Sequence, residues 1–283
     1  MNNSIANRFL ILLKREMWES NKLFIASPAV LSGLLLVILL WVLMQIPSEI
    51  KAEGVSSLGA MIDGSSPFDI VFPFMPLAIP FVVVLYICSI IYLVNALYHD
   101  RKEGSVLFWQ SMPVSNIETV LSKIVTVSFV APLITAAASG VLILFVVLTV
   151  AVLGASYGVE SIGFWTLLVA GMYSVILIYL TSVLAALLLF PTTGWILLFS
   201  AYARSLPFLW AIGGFILLLF LEDFIFDSQF LGNWLQSRTG SFDYIVLNIG
   251  DFFQRLFSYD LLIGVLLGSL LVTGAVYMRR YTD

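Results

Sequence analysis

The densest run of chemistry-bearing side chains in this 283-residue sequence lies between His99 and Lys123. Asp100, Arg101 and Glu103 crowd charge into four positions, Gly104 follows, and Val106, Leu107, Phe108 and Trp109 form a short apolar run. Charge beside such a run suits a short helix, over Lys102 to Gln110, seated in a groove of a soluble partner, where a buried charge pair is costly to break. It also suits a plain reversal of the chain, and the residues alone leave both readings open. Pro113 should end whatever precedes it. Ser115 followed by Glu118 fits a capping box that would start the next helix.

No other stretch offers a reaction. No nucleophile stands beside a base, no paired carboxylates or metal-ligand spacing can be read, and no G-x-x-x-x-G-K-[ST] cradle for nucleotide phosphates occurs. The expectation is therefore no catalytic residue, no metal site and no cofactor in this chain. His99, the only histidine, reads as the end of an apolar run, and the single cysteine, Cys88, as a small core side chain. Polar groups expected at depth are neutral: Ser89, Tyr92, Asn95, Thr135, Tyr173, Thr181 and Ser182. They would suit a large amphipathic or lipidic substrate, but they assign no substrate residue.

The elements that must position the His99–Lys123 stretch are membrane spans. With 61% hydrophobic and 11% charged residues, the chain cannot cover a water-soluble globule with polar surface. Spanning helices need about 20 apolar residues each. Six spans account for the apolar runs: 28–46, 71–98, 124–153, 162–190, 207–221 and 261–278. The expected fold class is all-α, a polytopic membrane protein forming a single transmembrane domain. Two details stay open. The Pro191-Thr192-Thr193-Gly194 break leaves room for a further partial membrane segment from Trp195, and the fifth run is short. Pro73, Pro76 and Pro80 should irregularise one half of the second span. The first run lacks a small-residue cleavage pattern near Leu43 to Pro47 and reads as a retained span.

Lys and Arg set the orientation. Arg8, Lys14, Arg15, Lys22, Arg101, Lys102, Lys123, Arg204, Arg279 and Arg280 fall on the side of the termini, against Lys51, Arg238 and Arg255 on the other, so both termini are expected in the cytoplasm. No basic tract points to nucleic acid. Before the first span, over residues 4–25, Leu10, Leu13, Met17 and Phe24 recur at helical spacing apart from Arg8, Arg15, Glu19 and Lys22. That pattern describes an amphipathic helix on membrane lipid, or an ordinary basic flank. Residues 223–260 are too polar to span yet rich in aromatics, and should rest on or dip into the outer leaflet, with Glu222 and Asp223 at a solvated end of the fifth span. Ile245, Ile249, Phe252 and Leu256 would share one helical face there, opposite Asn248, Asp251 and Arg255. Ala131, Thr135 and Ser139, and the Gly264-x-x-x-Gly268 repeat, permit close helix approach, within the chain or between two copies.

The loop resembles the permease subunits of the type 2 ATP-binding-cassette (ABC-2) exporters. The matching positions are Asp100 and Arg101 closing the second span, Gly104, then Pro113, Val114, Ser115, Glu118 and Lys123; Asp100 stands where Glu is commoner. The resemblance extends to the order of elements along the whole chain. It implies a half-transporter in the cell (inner or plasma) membrane, pairing with a second permease chain as homodimer or heterodimer. Two separate ATPase subunits would bind ATP and Mg. The loop 99–123 would be the coupling helix, with Asp100, Arg101, Glu103, Gly104, Pro113 and Ser115 at the partner contact. The rival readings are a non-transporting membrane scaffold that passes a signal to an outer partner through residues 223–260, and an intramembrane enzyme, which the missing catalytic set disfavours.

Overall fold

A computed structural model describes residues 5–71, 73–102, 115–159, 162–239 and 245–281. Glu103, Gly104, the apolar run 106–109 and Pro113 lie outside these residues, as do Glu160, Asp243 and Tyr244. The described chain is helical, and six of its helical stretches are long and apolar enough to cross a membrane: Lys22–Gln45, Met75–Lys102, Asn116–Tyr157, Phe164–Leu188, Pro207–Phe226 and Tyr259–Arg279. This is the build of a multi-pass membrane protein.

The N-terminal helix α1 (Ile5–Glu19) leads through a π-helical turn (Lys22–Ala26) into α2 (Ser27–Gln45). The same device recurs in the third span, where α6 (Asn116–Val125) passes through a π turn (Thr126–Val130) into α7 (Ala131–Tyr157). Each π turn sits directly before a proline pair, Ser27-Pro28 and Ala131-Pro132. A proline ring clashes with the carbonyl four residues back and offers it no N–H. The wider turn relieves that conflict, with the amides of Ser27 and Ala131 bonding five residues back to Lys22 and Thr126.

Between α2 and the second span, where no helix is expected from the sequence, lies α3 (Ser48–Ile62). Its Val55, Gly59 and Ile62 recur at helical spacing and are buried where α3 packs on α7. The second span, α4 (Met75–Ala96), starts four residues later than expected: Val71, Pro73 and Phe74 lie in turns ahead of Pro76, which occupies the first helical turn. Pro80 is accommodated within the helix, so the irregularity is confined to the start. A short α5 (Tyr98–Lys102) follows.

The fourth span, α8 (Phe164–Leu188), breaks at Leu189, and α9 (Phe190–Tyr202) continues with Pro191 at its start. The expected break at Pro191 to Gly194 is thus shifted: a proline in a helix's first turn costs no hydrogen bond, and the Pro-Thr-Thr-Gly stretch lies inside α9. α9 is wedged against α13 (Tyr259–Tyr281) and α4. The fifth span, α10 (Pro207–Phe226), extends past Glu222 and Asp223, which are therefore helical residues. Glu222 is spent locally, accepting the Leu231 amide at 3.0 Å and the Ser228 hydroxyl at 3.1 Å to start α11 (Phe230–Thr239), which folds back on α10. α12 (Ile249–Leu256) follows, capped by Asn248 accepting from the Asp251 amide.

Apolar burial does not drive helix association in lipid, so the interior relies on close approach. Ala131, Thr135 and Ser139 are buried as a stripe on α7. The two glycines of the Gly264-x-x-x-Gly268 repeat are both used inside the chain. A Cβ at Gly268 would meet the Phe190 side chain and carbonyl, and a Cβ at Gly194 would meet the Gly268 carbonyl oxygen at 2.8 Å. The α9–α13 contact exists because both positions lack a side chain.

Candidate functional site

Helix ends at one end of the bundle bring four charged side chains together. Glu16 comes from the last turn of α1, Asp100 from α5, Lys123 from α6 and Arg279 from the end of α13. Their exposures are 1%, 6%, 2% and 4% respectively, low enough that each ion must be compensated within the protein. The Lys123 ammonium donates to both Glu16 oxygens, at 3.1 and 3.3 Å. Asp100 Oδ2 lies between the two cations, 3.7 Å from Lys123 Nζ and 3.5 Å from Arg279 Nη2. Two carboxylates face two cations, so the cluster is formally neutral. The Tyr92 hydroxyl completes it by donating to Glu16 Oε2 at 2.5 Å, and the Tyr92 ring meets Phe24 edge-on with centroids 5.2 Å apart.

Beside this tetrad, Arg101 donates from Nη2 to the carbonyls of Ser200 at 2.9 Å and Ala203 at 2.8 Å, which lie at the C-terminal end of α9 where backbone acceptors are left over. Ser200 reciprocates. Its hydroxyl accepts the amides of Leu97 and Tyr98, both at 3.1 Å, and donates to the Val94 carbonyl at 2.8 Å, which closes the α4–α5 junction. Ser115 and Glu118 form the full capping box: Glu118 accepts the Ser115 amide at 2.8 Å, and Ser115 Oγ accepts the Glu118 amide at 3.1 Å.

The predicted site residues therefore separate. Asp100 is buried in the tetrad, Arg101 is tied to α9, and Ser115 is exposed and engaged in capping. Asp100 and Arg101 hold the base of the loop to the bundle. Two members of the tetrad escaped sequence reading. Arg279 enters the sequence reading only as an orientation signal, and Glu16 lies off the face through Leu10, Leu13, Met17 and Phe24, of which Phe24 alone is buried. The buried face of the N-terminal segment instead runs Leu12, Glu16, Ser20, Phe24, while Leu10, Ile11 and Trp18 are exposed. A carboxylate recurring at i, i+4 with buried apolar residues was the available signal.

A second buried charge lies at helix ends away from the tetrad. Arg238 of α11, 4% exposed, lies over the Trp234 ring with its guanidinium carbon 4.1 Å from the centroid. It donates to the Leu188 carbonyl at 2.8 Å, where α8 breaks, and to both the backbone carbonyl and the carboxylate of Asp260, the latter at 2.7 Å. Gly264 leaves room for it, since a Cβ there would collide with the guanidinium. The neutral groups predicted at depth are mostly absorbed by backbone: Ser89 and Ser182 bond the carbonyls of Leu85 and Ile178 on their own helices, Asn95 bonds Ile91 and is exposed, and Thr181 accepts the Val246 amide.

Among the described residues no group of three or more His, Cys, Asp or Glu side chains could hold a metal ion. No family model matches the chain, and no curated protein or solved structure matches it.

Proposed function

We propose that this chain is the permease subunit of a type 2 ATP-binding-cassette exporter, working as a pair of permease chains with two ATPase subunits that bind ATP and Mg. The cell membrane and cytoplasmic termini belong to this reading, as does an interfacial α1. One observation carries it beyond the loop's resemblance. Asp100, just before the 103–114 segment, and Lys123, eight residues into the helix that follows it, meet in one buried cluster with Glu16 and Arg279. Displacement of the loop by a soluble partner would therefore be felt together by α1, α5, α6 and α13. A simple reversal loop has no need of such an anchorage, because buried ion pairs rarely add net stability over apolar packing.

The test is a search of the neighbouring reading frames for an ATPase with a P-loop, co-expression of this chain with it, and then native mass spectrometry and transport assays. Lys102 and Glu103 are the charges to reverse, since Arg101 is engaged with α9. Glu103→Lys or Lys102→Glu should lower ATPase co-purification or uncouple hydrolysis from transport while insertion stays normal. Normal assembly and transport in both variants would overturn the coupling role, and transport by a lone monomer would overturn the whole reading.

A further inference from the structure

We infer that the N-terminal segment carries a binding site for one anionic phospholipid, with its phosphate held by Lys14 and Lys22 and an acyl chain lying in the groove between α2 and α4. The inference needs only a membrane-spanning α2 and does not depend on the transport reading.

The charges of the segment argue for it first. Glu16 is consumed by Lys123 and Tyr92 inside the protein, and Glu19 is paired with Arg15 at 2.5 Å. Apart from that Arg15–Glu19 pair, whose carboxylate is half exposed and neutralised by its partner, what faces outward is cationic and apolar together. Lys14 stacks over the exposed Trp18, 5.1 Å from its ring centroid, and Lys22 is exposed one helical turn further on. Neither lysine has a carboxylate partner among the described residues. An aqueous surface would not favour exposed Leu10, Ile11 and Trp18, and a purely hydrocarbon one would not favour the lysines; the headgroup region of a bilayer accommodates both.

The groove supplies the second observation. From Lys22 the same helical stripe continues as Ala26, Val30 and Leu34, and these residues with Leu31 and with Val84 of α4 line an open apolar trough. Ser27 also lines it, its hydroxyl spent on the Leu23 carbonyl, and Lys22 is at one end of the stripe. A trough with a cation at one end and hydrocarbon walls matches one acyl chain attached to an anionic headgroup. A zwitterionic lipid would lose the net charge attraction, worth about fivefold per lysine near a membrane surface.

The test uses the full chain in nanodiscs with brominated lipid as a quencher of Trp18, read as the difference between wild type and Trp18→Phe. Brominated phosphatidylglycerol should quench Trp18 at a several-fold lower mole fraction than brominated phosphatidylcholine. Lys14→Gln with Lys22→Gln should bring the two curves together. Ala26→Leu, which fills the trough and keeps both charges, should weaken quenching by chain-brominated phosphatidylglycerol, and a native quenching profile for the remaining tryptophans checks that each variant is folded. Inorganic phosphate at constant ionic strength should leave the preference intact. Coincident curves in the wild type, preference retained in the double lysine variant, no effect of Ala26→Leu, or displacement by inorganic phosphate would each overturn the inference.

Discussion

The Lys123 ammonium lies 3.1 Å from the Glu16 carboxylate across 107 positions of sequence, and both side chains are almost wholly buried. Removing one partner leaves the other charge without its closest counter-ion, which typically costs about 3 to 5 kcal/mol, whereas removing both for apolar residues of similar volume is often neutral. Lys123→Met should therefore sharply lower the midpoint of thermal unfolding in detergent. Glu16→Met with Lys123→Met should recover most of the loss, because Asp100 and Arg279 still balance each other. A double variant as unstable as the sum of the singles would show that the pair contributes nothing as a pair.

Gly194 and Gly268 test the α9–α13 contact. Ala at either position places a Cβ closer than 3.0 Å to partner atoms that include backbone, so helices must separate. Gly33 in α2 and Gly213 in α10 have open space around the same added atom. Gly194→Ala and Gly268→Ala should destabilise, while Gly33→Ala and Gly213→Ala should be neutral or stabilising by up to about 1 kcal/mol through helix propensity. Fluorescence-detected size-exclusion after heating ranks the four.

Arg238 and Asp260 should be unequal despite forming one ion pair. Arg238 is buried and also satisfies the Leu188 carbonyl, but the Asp260 side chain is 53% exposed. Arg238→Met should cost at least the 1.5 to 3 kcal/mol typical of about one charged hydrogen bond, and Asp260→Asn should stay within about 1 kcal/mol. Protease accessibility of the segment after α10 is the readout that separates them.

Orientation can be read with single cysteines. In a Cys88→Ala background, Ser237→Cys on α11 should react with a membrane-impermeant thiol reagent applied to intact cells, and Ser115→Cys at the start of α6 should not. The reverse pattern would invert the orientation drawn from Lys and Arg.

The spans were legible because apolar runs of about 20 residues have few alternatives in a bilayer, and the capping box because Ser115 and Glu118 carry its chemistry within four positions. Local rules failed where partners are distant. Glu16 looks like an ordinary surface residue until Lys123, 107 positions away, is placed beside it. Arg238 looks like a loop charge until the broken end of α8 presents the Leu188 carbonyl. α3 was missed for a different reason: its buried face is only three residues deep, and the serines and charges around it read as a connection.

The π turn at Lys22–Ala26 sets the phase between α1 and α2. A buried ladder at every fourth residue, Leu12, Glu16, Ser20, Phe24, Pro28 and Ser32, would drift around an unbroken α-helix, whose period is about 3.6 residues. The wider turn opposes that drift. If this turn refolded as plain α-helix with all its residues kept, the extra residue it now absorbs would rotate everything upstream by about 100° and swing Glu16 away from Lys123 without altering either side chain. The extra residue held between Glu16 and Pro28 is thus as much a part of the charge cluster as the charges themselves: a one-residue insertion there should be more damaging than most substitutions on the exposed face of α1, and a one-residue deletion that turns the π turn into α-helix should be far milder.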